Sequence, residues 1–302
     1  MTTTSPGTTQ AGTTKAGTTA AGRAEAPGTA RRGVLQLVLI ISCFVSIFPI
    51  LWMLLTSVKT QQETLVSPPV WIPTHPTLDS YRRVADSIDL GSSFLNSLII
   101  AVCCTIGVVV TSLLAGYVFA KKRFRGRGLL FAVMIATMFL PPIVTLIPLY
   151  RIASALGLHG SLLGIIVPNL ANAFGIFLLR QFIVGVPDEL LEAARLEGCS
   201  EFRIVFRIVA PVITPALAAL TLFSFVYYWQ SYLWPLTVLG GDKSASPIVL
   251  SLSQLLSYTG SAQNTGLVMA GASLAVLPPL VLFVFLQRYF VNSIANSGIT
   301  GQ

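Results

Sequence analysis

Charged side chains are scarce in this sequence. Only 10% of its 302 residues are Asp, Glu, Lys or Arg, whereas 54% are hydrophobic. Soluble domains carry about 25% charged residues, because their surfaces face water. The deficit excludes an ordinary soluble protein and indicates a chain that lies mostly in a membrane.

The side chains that usually carry catalysis are also few. Only His75 and His159 are histidines, and their separation argues against a histidine metal site or acid–base pair. The four cysteines do not form a disulfide framework. The phosphate-binding pattern G-x-x-x-x-G-K-[ST] does not occur, so this chain cannot hydrolyse ATP by that route; if ATP drives the process, another subunit binds it. We therefore predict that the chain alone is not an enzyme and has no catalytic residue, metal site or cofactor.

Ionisable residues are nearly absent from the long apolar segments. Proton-coupled carriers usually place acidic or histidine relays inside the membrane. Their absence disfavours a proton-driven carrier and favours an external source of energy.

Six apolar segments reach the length of about 20 residues that a helix needs to cross a bilayer. They are residues 34–58, 94–120, 129–150, 162–183, 212–239 and 266–290. Prolines interrupt several of them, but neighbouring helices and polar side chains can satisfy the carbonyls that a proline frees. The pattern predicts six transmembrane helices.

Basic residues are distributed unevenly between the two sides of these segments. With the N-terminus inside, 14 of the 19 Lys and Arg residues fall on the inner side and 5 on the outer side. Since positive charge favours the cytoplasmic side, we predict that both termini are cytoplasmic. The net charge of +8 then reflects topology, and we expect no nucleic-acid partner.

The two ends of the chain differ from the apolar region between them. Residues 1–32 are mostly Thr, Ala and Gly, too poor in apolar surface to form a core, and they lack the features of a signal peptide. We predict a disordered cytoplasmic tail at 1–32, a transmembrane domain at 33–291 and a short cytoplasmic tail at 292–302.

The longest charged stretch, residues 187–211, lies between the fourth and fifth predicted spans. We expect one helix from Asp188, as its N-cap, to Leu196, and a second helix capped by Ser200. Gly198 stands where a left-handed residue ends the first helix. Pro211 is expected to redirect the chain at the membrane surface.

Within this stretch Glu192-Ala193-Ala194, followed by Gly198, Ile208 and Pro211, resembles the EAA loop of permease subunits in bacterial ABC importers. The resemblance implies a coupling helix that seats in a cleft of an ATPase subunit. It assigns ATPase coupling to Glu192, Ala193, Ala194, Glu197, Gly198 and Pro211. Glu197 stands where the family usually has Asp. The alternative is an ordinary amphipathic cytoplasmic loop.

Further motifs extend the resemblance over about residues 34–291. Trp71-Ile72-Pro73 precedes a short helix around Tyr81, Asn96-Ser97-Leu98 opens the second span, and the segment from Trp229 to Leu236 resembles a family motif with Gln230 in place of Asn. These motifs are similar to the shorter, six-span permease of the maltose-type carbohydrate importers. The C-terminus departs from the family, because it lacks the usual glycine-rich stretch and Lys-Gly.

Uncharged polar residues in the fourth and fifth spans are candidates for a solute path. Amide and hydroxyl groups suit an uncharged polyhydroxy solute, and aromatic faces stack on sugar C–H groups. The candidates are Asn169, Asn172, Tyr228 and Gln230. The alternative is that they only form hydrogen bonds between helices and an aromatic belt at the membrane surface.

The sequence thus predicts an all-α polytopic membrane protein with six spans and a cytoplasmic coupling helix. The resemblance implies the permease of an ATP-driven sugar importer in the bacterial cytoplasmic membrane, working by alternating access. It also implies one homologous permease partner, two ATPase subunits and an extracytoplasmic solute-binding protein. Alternatives are an importer of another solute, such as glycerol phosphate or a polyamine, or else a channel or membrane scaffold.

Overall fold

The computed structural model describes Thr2 and residues 29–242, 244–259 and 264–297. Regular structure in these residues is entirely helical, without strands, which confirms the predicted fold class. The α-helices are α1 (Thr29–Ser57), α2 (Gln61–Leu65), α3 (Asp79–Ser87), α4 (Leu90–Lys121), α5 (Arg127–Thr137), α6 (Pro142–Ala155), α7 (Leu162–Ile166), α8 (Ala173–Val184), α9 (Asp188–Leu196), α10 (Glu201–Ile204), α11 (Ala210–Val212), α12 (Thr214–Trp229), α13 (Leu233–Leu239), α14 (Ile248–Thr259) and α15 (Thr265–Ser297). A 3₁₀ turn, Val167–Asn169, follows α7, and a π-helical turn, Val205–Val209, joins α10 to α11.

The described residues up to Pro49 and those from Ile50 onward belong to two separate units. Most of the predicted N-terminal tail, residues 1–32, lies outside the described residues, as do residues 298–302. The last helix, α15, continues to Ser297, beyond the predicted span boundary at residue 290.

The described residues contain four stretches long and apolar enough to cross a membrane. These are Gly33–Ser57, Leu90–Lys121, Leu162–Val184 and Thr265–Tyr289. Two bent helix pairs, Arg127–Thr137 with Pro142–Ala155 and Glu201–Val212 with Thr214–Trp229, bring the number to six if each pair is one span. The predicted number of spans agrees with that count.

The third and fifth spans are not the continuous helices that the hydrophobic segments predicted. The third bends by 103° between Thr137 and Pro142, where the Pro141-Pro142 pair removes two backbone donors. Hydropathy cannot register such a break, because a bent segment and a straight one have the same composition.

The predicted segment 212–239 is interrupted twice. A bend of 89° separates α11 from α12, and a second break lies between Trp229 and Leu233. At the first bend Pro215 has no N–H for the carbonyl of Pro211, which instead accepts a hydrogen bond of 2.7 Å from the Thr214 hydroxyl. At the second, Pro235 cannot donate to the carbonyl of Ser231, so the helix loses one backbone hydrogen bond where the break occurs.

The helix α4 is central to the unit formed by residues 50–302. It packs against α8 and α12, and α12 in turn packs against α15. Close packing depends on small residues, since a Cβ atom on Gly116 would lie 3.2 Å from the backbone nitrogen of Arg180. A displacement of α4 would therefore be felt directly by both neighbouring helices.

The segment after α1 is fastened to the last span. The hydroxyl of Tyr81 in α3 forms hydrogen bonds of 2.8 Å with Ser57 and with Ser273 of α15. Arg83 donates to Asn264 at 2.7 Å. These contacts fix the amphipathic helix α3, which was predicted around Tyr81, across the end of α15.

Candidate functional site

The loop between the fourth and fifth spans forms the two predicted helices, α9 and α10. Pro187, rather than Asp188, occupies the N-cap position of α9 and makes no side-chain cap, so the prediction that Asp188 caps this helix is wrong. Asp188 is instead the first helical residue, and its carboxylate accepts a hydrogen bond of 2.7 Å from Lys121. That bond holds the pKa of Asp188 below its usual range.

Gly198 ends α9 in the left-handed conformation that the sequence predicted, with φ of +78°. Its N–H donates to the carbonyl of Arg195, and the N–H of Cys199 donates to that of Ala194, both at 3.0 Å. This pair of bonds is a Schellman motif. No neighbouring atom lies within 4 Å of the place where a Cβ on Gly198 would stand, so only the backbone angle demands glycine.

Ser200 caps α10, as predicted, by accepting a hydrogen bond from the N–H of Arg203 at 3.4 Å. The chain then passes through the π-helical turn into α11. The redirection expected at Pro211 occurs two residues later, because Pro211 is accommodated inside α11 and the bend falls at Ile213.

The coupling residues assigned by resemblance lie on different faces of the loop. Glu192, Ala193, Glu197, Gly198 and Pro211 are exposed. Ala194, by contrast, is buried at 6% exposure. Of the two alanines, Ala194 therefore packs inward and Ala193 is open, while their assignment to ATPase coupling stays a prediction.

Large apolar side chains also point away from the body of the protein in this loop. Leu196 is 90% exposed and Phe202 is 68% exposed. Exposed apolar surface on a charged loop is typical of a protein–protein contact. Sequence reasoning missed both residues, although their apolar character among charged neighbours was a usable signal.

A cluster of charged and polar groups beneath the loop was also missed. The Glu201 carboxylate accepts hydrogen bonds from Lys122, from Arg195 at 3.2 Å and from the Tyr117 hydroxyl at 2.6 Å. Arg195 donates in addition to the Tyr117 oxygen at 3.0 Å. The partners are up to 84 positions apart in sequence, so no local pattern identifies them.

Two of the four candidate path residues share one groove. A cavity of about 450 Å³ is lined by Asn169 and Gln230. The remaining lining comes from the breaks and the adjoining helices, and comprises Pro142, Thr145, Leu146, Leu149, Tyr227, Ser231, Tyr232, Leu233 and Trp234. Both helix breaks, at Pro141-Pro142 and after Trp229, thus open onto this groove, and its lining contains no charged residue.

Asn172 and Tyr228 line a second cavity of about 470 Å³, and Tyr227 lines both cavities. Asn172 also caps α8, since its side-chain oxygen accepts hydrogen bonds from the N–H groups of Phe174 and Gly175. The buried Tyr228 hydroxyl donates to the carbonyl of Asn169 at 3.2 Å. The structure thus divides the predicted path between two neighbouring cavities.

The polar groups of both cavities have structural partners as well. The Asn169 amide donates to the carbonyl of Ile165 at 2.7 Å, a bond within its own helical segment. Gln230 is exposed where it lines the groove.

In the part of the chain that the structure describes, His, Cys, Asp and Glu form no group of three or more able to hold a metal ion.

Comparison with known proteins gives a consistent family. The family described as "Binding-protein-dependent transport system inner membrane component" matches residues 107–296. The chain is 33% identical over 259 residues to the arabinooligosaccharides transport system permease protein AraQ of Bacillus subtilis (strain 168), covering 84% of this chain and 91% of that protein. It is 31% identical over 268 residues to the sn-glycerol-3-phosphate transport system permease protein UgpE of Pectobacterium atrosepticum, covering 87% of this chain and 95% of that protein.

A solved structure shares the fold. It is a chain of a bacterial ABC transporter involved in the import of the acidic polysaccharide alginate. The two chains superpose with a TM-score of 0.75 at 22% identity, covering 88% of this chain and 98% of the other.

Proposed function

The chain belongs to the family of binding-protein-dependent transport system inner membrane components, and we propose that it is the six-span permease of an ATP-driven sugar importer. Membership makes it a multi-pass subunit of a membrane transporter that works with ATPase and binding-protein components. The proposal adds the solute class, the pairing of subunits and the orientation of the chain.

The observation that carries the solute class is the uncharged groove at the two helix breaks. Its lining offers amides from Asn169 and Gln230, hydroxyls from Thr145 and Ser231, and aromatic faces. Irregular backbone at membrane depth is tolerated where it lines a cavity, and solutes of transporters bind at such discontinuous helices. Hydroxyl-rich, neutral molecules match these groups in hydrogen bonding and in stacking.

A second candidate solute is a glycerol phosphate, because one relative is named for its transport. A phosphate carries about two negative charges and is usually met by Arg or Lys. Since neither side chain lines the groove, a neutral sugar is the better match. The arabinooligosaccharides permease relative supports the same choice.

Transport would proceed by alternating access. We infer a heterodimer with a homologous permease, two ATPase subunits on the cytoplasmic side and a solute-binding protein outside. The exposed face of α9 and α10 would seat on the ATPase, whose closure moves the loop and rocks the spans. The 14 of 19 basic residues predicted on the same side as this loop support a cytoplasmic position for the loop and for both termini.

Reconstituted uptake tests this proposal. The complete transporter in proteoliposomes is supplied with ATP and with radiolabelled mono- and disaccharides or glycerol phosphate. We expect ATP-dependent uptake of a neutral sugar, with the KM raised about 2- to 10-fold in Gln230→Leu through loss of a neutral hydrogen bond.

Gln181→Leu is the matched control, because Gln181 is exposed on α8 and outside the groove. Both variants should assemble normally. Uptake of glycerol phosphate but of no sugar would reject the sugar assignment. If Gln230→Leu transported with the KM of the parent, the groove would not be part of the solute path.

A further inference from the structure

Two consecutive lysines stand at the end of the central helix α4, Lys121 as its last residue and Lys122 as its C-cap. Each contacts the start of a different helix in residues 187–211, called the coupling loop below. Lys121 donates to the carbonyl of Val186 at 2.6 Å and to Asp188 at 2.7 Å, where α9 begins. Lys122 forms an ion pair with Glu201, where α10 begins. The loop is therefore held at both helix starts by one helix end.

The contacts around Glu201 form a closed network. Both carboxylate oxygens are occupied, one by Lys122 and Arg195 and the other by the Tyr117 hydroxyl. Tyr117 lies on α4 and is 2% exposed, while Arg195 lies on α9. The network thus joins α9, α10 and α4 through charge-assisted hydrogen bonds, which are stronger than neutral ones.

Apolar packing reinforces the same connection. Leu191 and Ala194 of α9, and Ile204 of α10, are buried in one cluster with Tyr117. The charged contacts are therefore not isolated surface pairs, which contribute little on their own. They border a packed interface and restrict how α9 and α10 can slide along it.

The contacts with Lys121 and Lys122 connect the coupling loop to a helix that is not its neighbour in sequence. Along the sequence the loop leads only to α8 and, through α11, to α12, whereas α4 lies 67 or more positions before Asp188. Resting on the function proposed above, we propose that Lys121 and Lys122 are positioning residues that transmit the displacement of α9 and α10 to α4. The central helix then moves with the loop, and α8 and α12, which pack on α4, follow.

Neutral substitutions at the network separate transmission from assembly. We expect Glu201→Gln and Lys122→Gln to bind the ATPase subunits and hydrolyse ATP at the parental basal rate. Solute transported per ATP should fall up to about fivefold, the size expected for loss of a partly exposed ion pair. Lys122→Arg keeps the charge and donors, so it should retain most transport.

Arg125→Gln serves as the matched control, because it removes the same charge from the exposed turn that follows α4. A fold defect is monitored through thermal stability, which should change little in all four variants. A purely structural role predicts that stability, assembly and transport decline together and that Lys122→Arg gives no selective rescue.

A covalent cross-link between positions 122 and 201 tests whether the connection itself carries the movement. In a chain whose four native cysteines are replaced by serine, Lys122→Cys with Glu201→Cys is treated with a short bifunctional thiol reagent. Cross-linking should restore transport per ATP relative to the untreated double variant. Parental transport in Glu201→Gln, or no recovery on cross-linking, would overturn the inference while leaving the proposed function intact. If the complex with the unsubstituted chain hydrolysed no ATP, both this inference and the proposed function would be overturned.

Discussion

Substitution of Gly198 isolates one backbone angle of the coupling loop. The residue holds φ of +78° and a Cβ there meets no atom within 4 Å, so alanine, asparagine and valine introduce strain without a clash. An L-residue with a Cβ in this conformation costs roughly 1–2 kcal/mol, and a β-branched one is a stronger outlier, towards about 3 kcal/mol. Asparagine tolerates the conformation best.

The bonds of the Schellman motif decide which variants keep the loop. The two hydrogen bonds from Gly198 and Cys199 contribute about 1 kcal/mol each, hence roughly 2 kcal/mol together. Alanine strain is of the same size or smaller, so that variant should hold the motif. Valine strain equals or exceeds it, so the loop is expected to rearrange and carry the exposed Leu196 out of position.

The assay combines ATPase pull-down with solute-stimulated ATP hydrolysis in one background. We expect Gly198→Asn to be nearest to the parent, Gly198→Ala intermediate, and Gly198→Val to insert normally but lose about tenfold in coupling, the equivalent of some 1.4 kcal/mol. Gly157→Val is the matched control, since Gly157 has φ of +71° and similarly open surroundings at the end of α6.

Two results would refute this reasoning. Equal, near-parental coupling in all three Gly198 variants would mean that the glycine only adds flexibility. An equal loss in Gly157→Val would mean that strain anywhere in the chain lowers coupling, and the loop would have no special role.

Three further predictions follow from the described contacts. For topology, in a chain without native cysteines, Gln61→Cys should react with an impermeant thiol reagent in intact cells and Arg203→Cys only after permeabilisation; the reverse pattern would invert the chain. At the cap of α8, Asn172→Leu should lower the stability by about 1 kcal/mol, whereas Asn172→Ser keeps a cap acceptor and should preserve it. Both variants should raise the KM for solute. An unchanged KM would leave Asn172 with a capping role alone. Outside the spans, Glu63 accepts hydrogen bonds from the Thr74 side chain and from the backbone of Thr60, Thr74 and His75, which lower its pKa to about 2. A lowered pKa stabilises the folded segment above the unfolded value near 4.5, so amide protection of Thr74 should persist at pH 3.5 and disappear as pH falls through about 2; loss near pH 4.5 would contradict it.

The sequence by itself determined the helical class, the number of spans and the local form of the coupling loop. These features depend on composition and on neighbouring residues. The length of an apolar segment matches the thickness of the bilayer core. Ser200 caps the helix that follows it, and Gly198 reaches a positive φ without a Cβ clash. The resemblance of Glu192-Ala193-Ala194 to the EAA loop identified the family correctly, because that motif is short and continuous.

Only the tertiary structure decided the breaks in the third and fifth spans, the division of the polar residues between two cavities, and the network around Glu201. Hydropathy averages over a window and therefore cannot separate a straight span from one bent at proline. Tyr117 and Lys122 reach Glu201 because α4 ends beneath the loop, a position set by the packing of α4 on α8 and α12. Contacts between residues so distant in sequence arise from that packing, and no local pattern contains them.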